Sequence, residues 1–176
     1  MGLDGDREVM EKWFTRAMEA DGDNRDACLM KLAWLEPKWH GTPEDLIAFG
    51  RACAATKNWR AGITLLAADA HYRLARTMDA EEYTRYLGSD EVFEDISAVY
   101  RDYLEHFPDD RVERTNFAVF LVLGGYSRPA TQQFEQAGDI GAATNLFSKA
   151  FVDRMRQQAI ERARQLDAEE SPKTPD

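Results

Sequence analysis

The side chains with most capacity for chemistry are three histidines, two cysteines and two acidic runs. His40, His71 and His106 are far apart, and none has a second His or Cys at metal-ligand spacing, so neither an HExxH nor a CxxC pattern exists. His106 falls in the last turn of a helical pattern, where the helix dipole favours a cation. His71 stands near Asp69 and reads as a surface pair or a groove residue. Cys28 and Cys53 lie among apolar neighbours in helical patterns and are expected as small buried core residues rather than a disulfide framework. Nothing around Cys53 suggests a nucleophile: no histidine is nearby in sequence and no feature would lower its pKa.

The acidic runs are Asp79, Glu81 and Glu82, then Asp90, Glu91, Glu94 and Asp95. A Mg²⁺ or two-metal hydrolase would need such carboxylates to converge from different helices. The second run opens a helix, where negative charge is favourable in any case. Gly124-Gly125-Tyr126-Ser127 lacks the lysine and the preceding strand of a phosphate loop, and glycine there ends a helix more simply. The sequence therefore predicts no catalytic residue, no cofactor and no metal; a helical hydrolase built on the 79–95 carboxylates is the enzyme alternative.

Charge narrows the partner classes. The 32 acidic and 22 basic residues leave a net charge of −10, which repels phosphate backbones. The densest basic run, Arg154, Arg156, Arg162 and Arg164, is interleaved with Asp153, Glu161 and Asp167 and reads as a solvated helix face, so no nucleic acid is expected. No stretch reaches the roughly 18 uninterrupted apolar residues of a membrane span. The first residues, MGLDGDREVMEKW, are too acidic and polar for a signal peptide, and position 6 lacks the Ser or Thr of a myristoylation site. A cytoplasmic protein with no membrane partner is the expectation.

The elements that would position any site read almost entirely as helix, since no alternating stretch is bounded by hairpin turns. A first helix is predicted over 7–20, with Met10, Phe14, Ala17 and Met18 on one face. Asn24 caps a second carrying Ala27, Cys28, Met30, Leu32 and Leu35. Thr42, Pro43 and Asp45 form the start of a third, with Leu46, Phe49, Gly50 and Cys53 as its stripe. Helical spacing then continues from Trp59 through Ile63, Leu66, Ala70 and Leu74. Residues 79–90 give a short helix ending at Gly88. Val92, Ile96, Val99, Tyr100, Tyr103 and Phe107 form the strongest stripe, ended by Pro108. Asp109 or Asp110 caps the next helix, which buries Phe117, Phe120 and Leu121 and breaks at Gly124-Gly125. Pro129 begins a segment with Phe134, and a last helix is predicted over 140–166 with Ala143, Phe147, Ala150, Phe151 and Met155. One domain, 1–166, precedes a disordered acidic tail, 167–176.

Paired helices joined by short turns suggest repeats. Residues 43–75, with Leu46, Phe49, Gly50 and Cys53 then Gly62 and Leu66, resemble a tetratricopeptide repeat. So do residues 111–138, with Phe117, Ala118 and Leu121 then Ala130, Phe134 and Ala137. FTRAMEADGDN, 14–24, and YRDYLEHFPDD, 100–110, are similar to second helices of such repeats with their exit turns, and AGDIGAATNLFSKA, 137–150, fits in a shifted frame. The resemblance implies an all-α, irregular tetratricopeptide-like helix-hairpin solenoid; a compact helical bundle is the alternative. KLAWLEPKWHGTPEDLIAFGR, 31–51, also resembles a segment of an uncharacterised bacterial family of helical domains, which implies a helical fold and no chemistry.

A solenoid offers a concave face on which aromatic and charged side chains clamp a partner segment. Trp39, His40, His71, Tyr72, Tyr83 and Tyr86 are the candidate contacts. An acidic, aromatic-bearing groove suits a basic, partly apolar protein or peptide. The expected function is a non-enzymatic interaction module, either monomer or homodimer; the alternative is a small acidic immunity- or antitoxin-like protein that neutralises a basic toxin. Within WLEPKWHGTPEDL, 34–46, Pro37 stops one helix and Thr42-Pro43 starts another. Trp39 is expected to pin that corner, with His40 exposed; a Trp39 facing solvent on the concave side would instead make the corner the best partner-contact candidate.

Overall fold

The computed structural model describes residues 3–170. Among these residues the chain is all-helical, with no strand. The helices run in the order α1 (Leu3–Ala20), α2 (Arg25–Trp34), α3 (Pro43–Ala55), α4 (Leu66–Ala75), α5 (Ala80–Leu87), α6 (Asp90–His106), α7 (Arg111–Leu123), α8 (Ser127–Ala137) and α9 (Lys149–Glu170).

Local chemistry explains most of the boundaries. Asn24 accepts from the Ala27 amide at 2.9 Å and starts α2. Thr42 accepts from the Asp45 amide at 3.1 Å, and Pro43 occupies the first turn of α3. Asp79 and Glu82 form a reciprocal capping box on α5, an eight-residue helix too short to persist without such support. Asp110, rather than Asp109, caps α7 by accepting from Val112 and Glu113. Gly88 and Gly124 close α5 and α7.

Two expected helical stretches are irregular. Residues 59–65 make successive turns and α4 begins only at Leu66, although the apolar spacing runs on from Trp59. Gly62 adopts φ +67°, and the Asn58 carboxamide accepts from the Ala61 amide, so the backbone is turned before the helix can begin. The last helix starts at Lys149, not near Ile140, because Gly138 (φ +66°) and Gly141 (φ +67°) redirect the chain. Two arginines then hold the connection. Arg111 donates to the carbonyls of Ala137 and Asp139, and Arg156 to those of Phe134 and Gly138. Phe147 is buried from this loop, against Tyr72, Phe120 and Phe151.

At its C-terminal end α9 runs past the predicted limit through Glu170, and Arg128 pairs with Asp167 and Glu170. The first four residues of the expected tail, 167–170, are therefore helical; 171–176 lie outside the described residues.

Packing follows chain order. The principal contacts join each helix to the next or the next but one, with α3 on α4, α7 on α8 and α8 on α9 the most extensive. In the α3/α4 hairpin the axes approach closely because Gly50 faces Ala67 and Ala70: a Cβ on Gly50 would lie 2.7 Å from the Ala70 Cβ. The main core gathers Tyr100, Phe117, Phe120, Phe134 and Phe147 from α6 to the loop before α9. Burial of Phe134 alone, 1% exposed, contributes roughly 1.5–3 kcal/mol. Smaller clusters sit nearer the N-terminus: Leu32, Leu35, Leu46, Ala70 and Leu74 in one, Cys28, Cys53, Ile63 and Leu66 in the other.

Candidate functional site

Helical spacing places Glu44, Ile47, Ala48 and Arg51 along one face of α3. That face meets His71 and Leu74 of α4, Tyr86 of α5, and Glu91 and Val92 of α6 around a groove of about 520 Å³. A second hollow of about 400 Å³ is lined by Met78, Glu82, Arg85, Tyr86 and Ser89. Tyr86 is the residue that lines both. Ile47, Leu74 and Val92 give the first hollow apolar lining, and Glu44, Glu82 and Glu91 are exposed around the two, together with Arg51 and Arg85.

One wall is a hydrogen-bonded chain. His71, 2% exposed, has Nδ1 2.7 Å from the Tyr86 hydroxyl and Nε2 3.1 Å from Asp95 Oδ2. An ionised Asp95 can only accept, so Nε2 carries the proton and Nδ1 accepts from the Tyr86 hydroxyl. Burial lowers the His71 pKa below its ordinary value despite the opposing pull of Asp95. The ring is therefore neutral at physiological pH. Arg51 Nε donates to Asp95 at 2.7 Å, and its terminal nitrogen pairs with Glu91. Burial pushes the Tyr86 phenol upward, with Asp95 and Glu91 adding to the effect, so it remains a donor. Both ring nitrogens of His71 are engaged, which fits a wall that orients Tyr86 better than a proton shuttle.

The six sequence candidates divide. His71 and Tyr86 come together in this groove. His71 does not pair with its neighbour Asp69, and it is buried rather than on the surface. Asp69 is 6% exposed and accepts from Arg73 at 3.0 Å. Tyr72 packs edge-on to Phe120 and Phe147 and lines a separate polar hollow of about 410 Å³. Arg73, Arg76, Lys38, Glu36 and Asn145 also border that hollow. Tyr83 is half-buried against the main core, and burial pushes its phenol up to about 12. His40 is exposed and stacks on Trp34 at 4.7 Å.

Trp39 is not the anchor of the corner: it is 64% exposed. Leu35 and Trp34 hold the corner, together with Glu36, which is 7% exposed and bonded to Arg73 at 2.6 Å and Lys38 at 2.8 Å. Burial would raise the Glu36 pKa, but hydrogen bonds from Lys38 and Arg73 outweigh it and leave the carboxyl below its ordinary value. The sequence reading missed Glu36, although a carboxylate next to Pro37 in an apolar stretch was a signal that it needed a partner.

The acidic runs have local roles. Asp79 and Glu82 cap α5, Glu81 pairs with Arg85 at 3.0 Å, and Glu91 and Asp95 both serve Arg51. Among the described residues, no three His, Cys, Asp or Glu side chains gather in a metal-holding arrangement. Among the same residues, no helix is long and apolar enough to cross a membrane. No protein-family model matches this chain, and neither a curated protein nor a solved structure gives a significant match.

Proposed function

We propose that the protein is a helical-hairpin repeat module of tetratricopeptide-like type that binds a basic, partly apolar segment of a partner protein in the groove between α3 and α6. The single observation that carries this reading is that Tyr86 lines two neighbouring hollows, whose walls combine apolar side chains with exposed carboxylates. Aliphatic side chains of the partner would lie over Ile47, Leu74 and Val92, and its Lys or Arg heads would meet Glu44, Glu82 and Glu91. The close-packed α3/α4 hairpin and the chain-ordered helix contacts favour the repeat reading over a closed bundle. The His71–Asp95–Arg51 chain fixes Tyr86 before binding, which lowers the ordering cost of association.

Selection from a displayed random-peptide library tests this directly. Enriched peptides should combine Lys or Arg with apolar residues, and binding should weaken as salt rises. It should also be lost in Tyr86→Ala and in Glu44→Lys/Glu91→Lys. Peptides that bind these variants as well as the parent would refute the groove. Binding that depends on the carboxylates but not on Tyr86 would point instead to a broad charged face, as for neutralising a basic toxin.

A further inference from the structure

Three sulfur atoms from three helices converge near the N-terminal end. Met18 of α1, Cys28 of α2 and Cys53 of α3 all line one cavity of about 190 Å³. Met18 Sδ lies 3.8 Å from Cys28 Sγ, and Cys28 and Cys53 belong to one buried cluster. Both cysteines are free and buried. Phe14, Phe49 and Ile63 make up much of the remaining wall, with Thr56 and Asn58 at its polar side.

We propose that Cys28, Cys53 and Met18 form a binding site for a soft monovalent metal ion of the Cu(I) type. Two thiolates and a thioether are soft donors, which select such an ion over carboxylate-seeking Mg²⁺ or Ca²⁺. A zinc site would want four ligands, and the described residues bring no His, Asp or Glu to complete that set. A closed-shell monovalent ion is satisfied by two thiolates, with the thioether as a third donor. Binding releases both thiol protons: Cu⁺ and two S–H groups give a bis-thiolate complex of charge −1 and two H⁺.

Two cations share a helix with that charge: Arg25 and Lys31 flank Cys28 at three-residue spacing on α2, and Lys31 also pairs with Glu11 at 2.6 Å.

The test is an anaerobic titration of the reduced full chain with Cu(I) against a chromophoric competing chelator. One equivalent should bind, with a thiolate-to-copper charge-transfer band in the ultraviolet. Cys28→Ala/Cys53→Ala should lose both the stoichiometric binding and the band. Met18→Leu should keep the stoichiometry with weaker affinity; an unchanged affinity would remove Met18 from the ligand set. Circular dichroism of each variant, matched to the parent, separates ligand loss from unfolding. The proposal is overturned if the double-alanine chain binds as tightly. It is equally overturned if the reduced parent chain leaves all the copper with the competing chelator.

Discussion

At the scale of single residues, His71 carries a pH dependence whose direction follows from its surroundings. Its pKa is lowered in the fold, so the unfolded chain binds the proton more readily. The stability that neutral His71 provides is present above the ordinary value of about 6.5 and is lost as pH falls through the folded value. Each unit of lowering corresponds to about 1.4 kcal/mol. Chemical denaturation at about pH 7.5 and about pH 5.5 should show a steeper loss for the parent than for His71→Gln, which still offers Asp95 a donor but does not titrate. Equal slopes would mean that the ring is as free to charge in the fold as outside it. The histidine was visible in the sequence, but its partners were not: Asp95 and Tyr86 come from other helices, and the neighbour that seemed paired, Asp69, belongs to Arg73. Local spacing reveals a titratable group; only packing decides what it faces.

At the scale of elements, the α3/α4 hairpin rests on Gly50. Glycine inside a helix usually costs about 1 kcal/mol relative to alanine. Here that preference is opposed by contact, since a Cβ at Gly50 would come within 2.7 Å of the Ala70 Cβ and 3.2 Å of the Ala67 Cα. Overpacking of this kind costs about 1–3 kcal/mol, so Gly50→Ala should lower stability despite its better propensity. Adding Ala70→Gly should bring back part of the loss; thermal melts of the two single variants and the double variant measure the coupling. A stabilised Gly50→Ala would mean that the hairpin can open at no cost.

Helix starts at Asn24 and Thr42 were legible, and that at Asp110 to within one residue, because a cap acts within three residues. The turns at 59–65 and the loop at 138–148 were not. Trp59, Ile63 and Phe147 keep an apolar spacing that looks helical, whereas Gly62 and Gly138 take backbone angles that spacing cannot reveal. Trp59 is used differently from a helix-face residue: its indole donates to Asp102 at 2.8 Å and its ring stacks on His106.

At the scale of the whole molecule, stability should be uneven along the chain. Residues 115–122 of α7 are all buried, with neighbours on α6, α8 and α9. By contrast α1 packs chiefly on α2; Val9 is more than half exposed, and so are Trp13 and Met30, which line an apolar hollow of about 420 Å³. Hydrogen exchange should therefore be slowest in α7 and fastest in α1. Protection of α1 equal to that of α7 would contradict the gradient, and protection that grows with protein concentration would show two copies covering the hollow. The all-helical class was legible from composition and spacing. Which helices pack on which was not legible, because it depends on contacts between side chains of different helices.

The corner after α2 has a consequence for heredity. A Cβ on Gly41 would lie 2.0 Å from the Leu35 carbonyl oxygen, so the chain can double back there only where residue 41 has no side chain. The same corner is tied to α4 through Glu36 and Arg73. Descendants of this chain that keep the corner should therefore be recognisable, after most of the sequence has drifted, by three linked positions: a glycine at 41, an acid at 36 and an arginine at 73. By the same logic, a change at Glu36 should be inherited together with a change at Arg73, while Trp39, exposed with Lys38 over its ring, is left to whatever contacts the corner from outside.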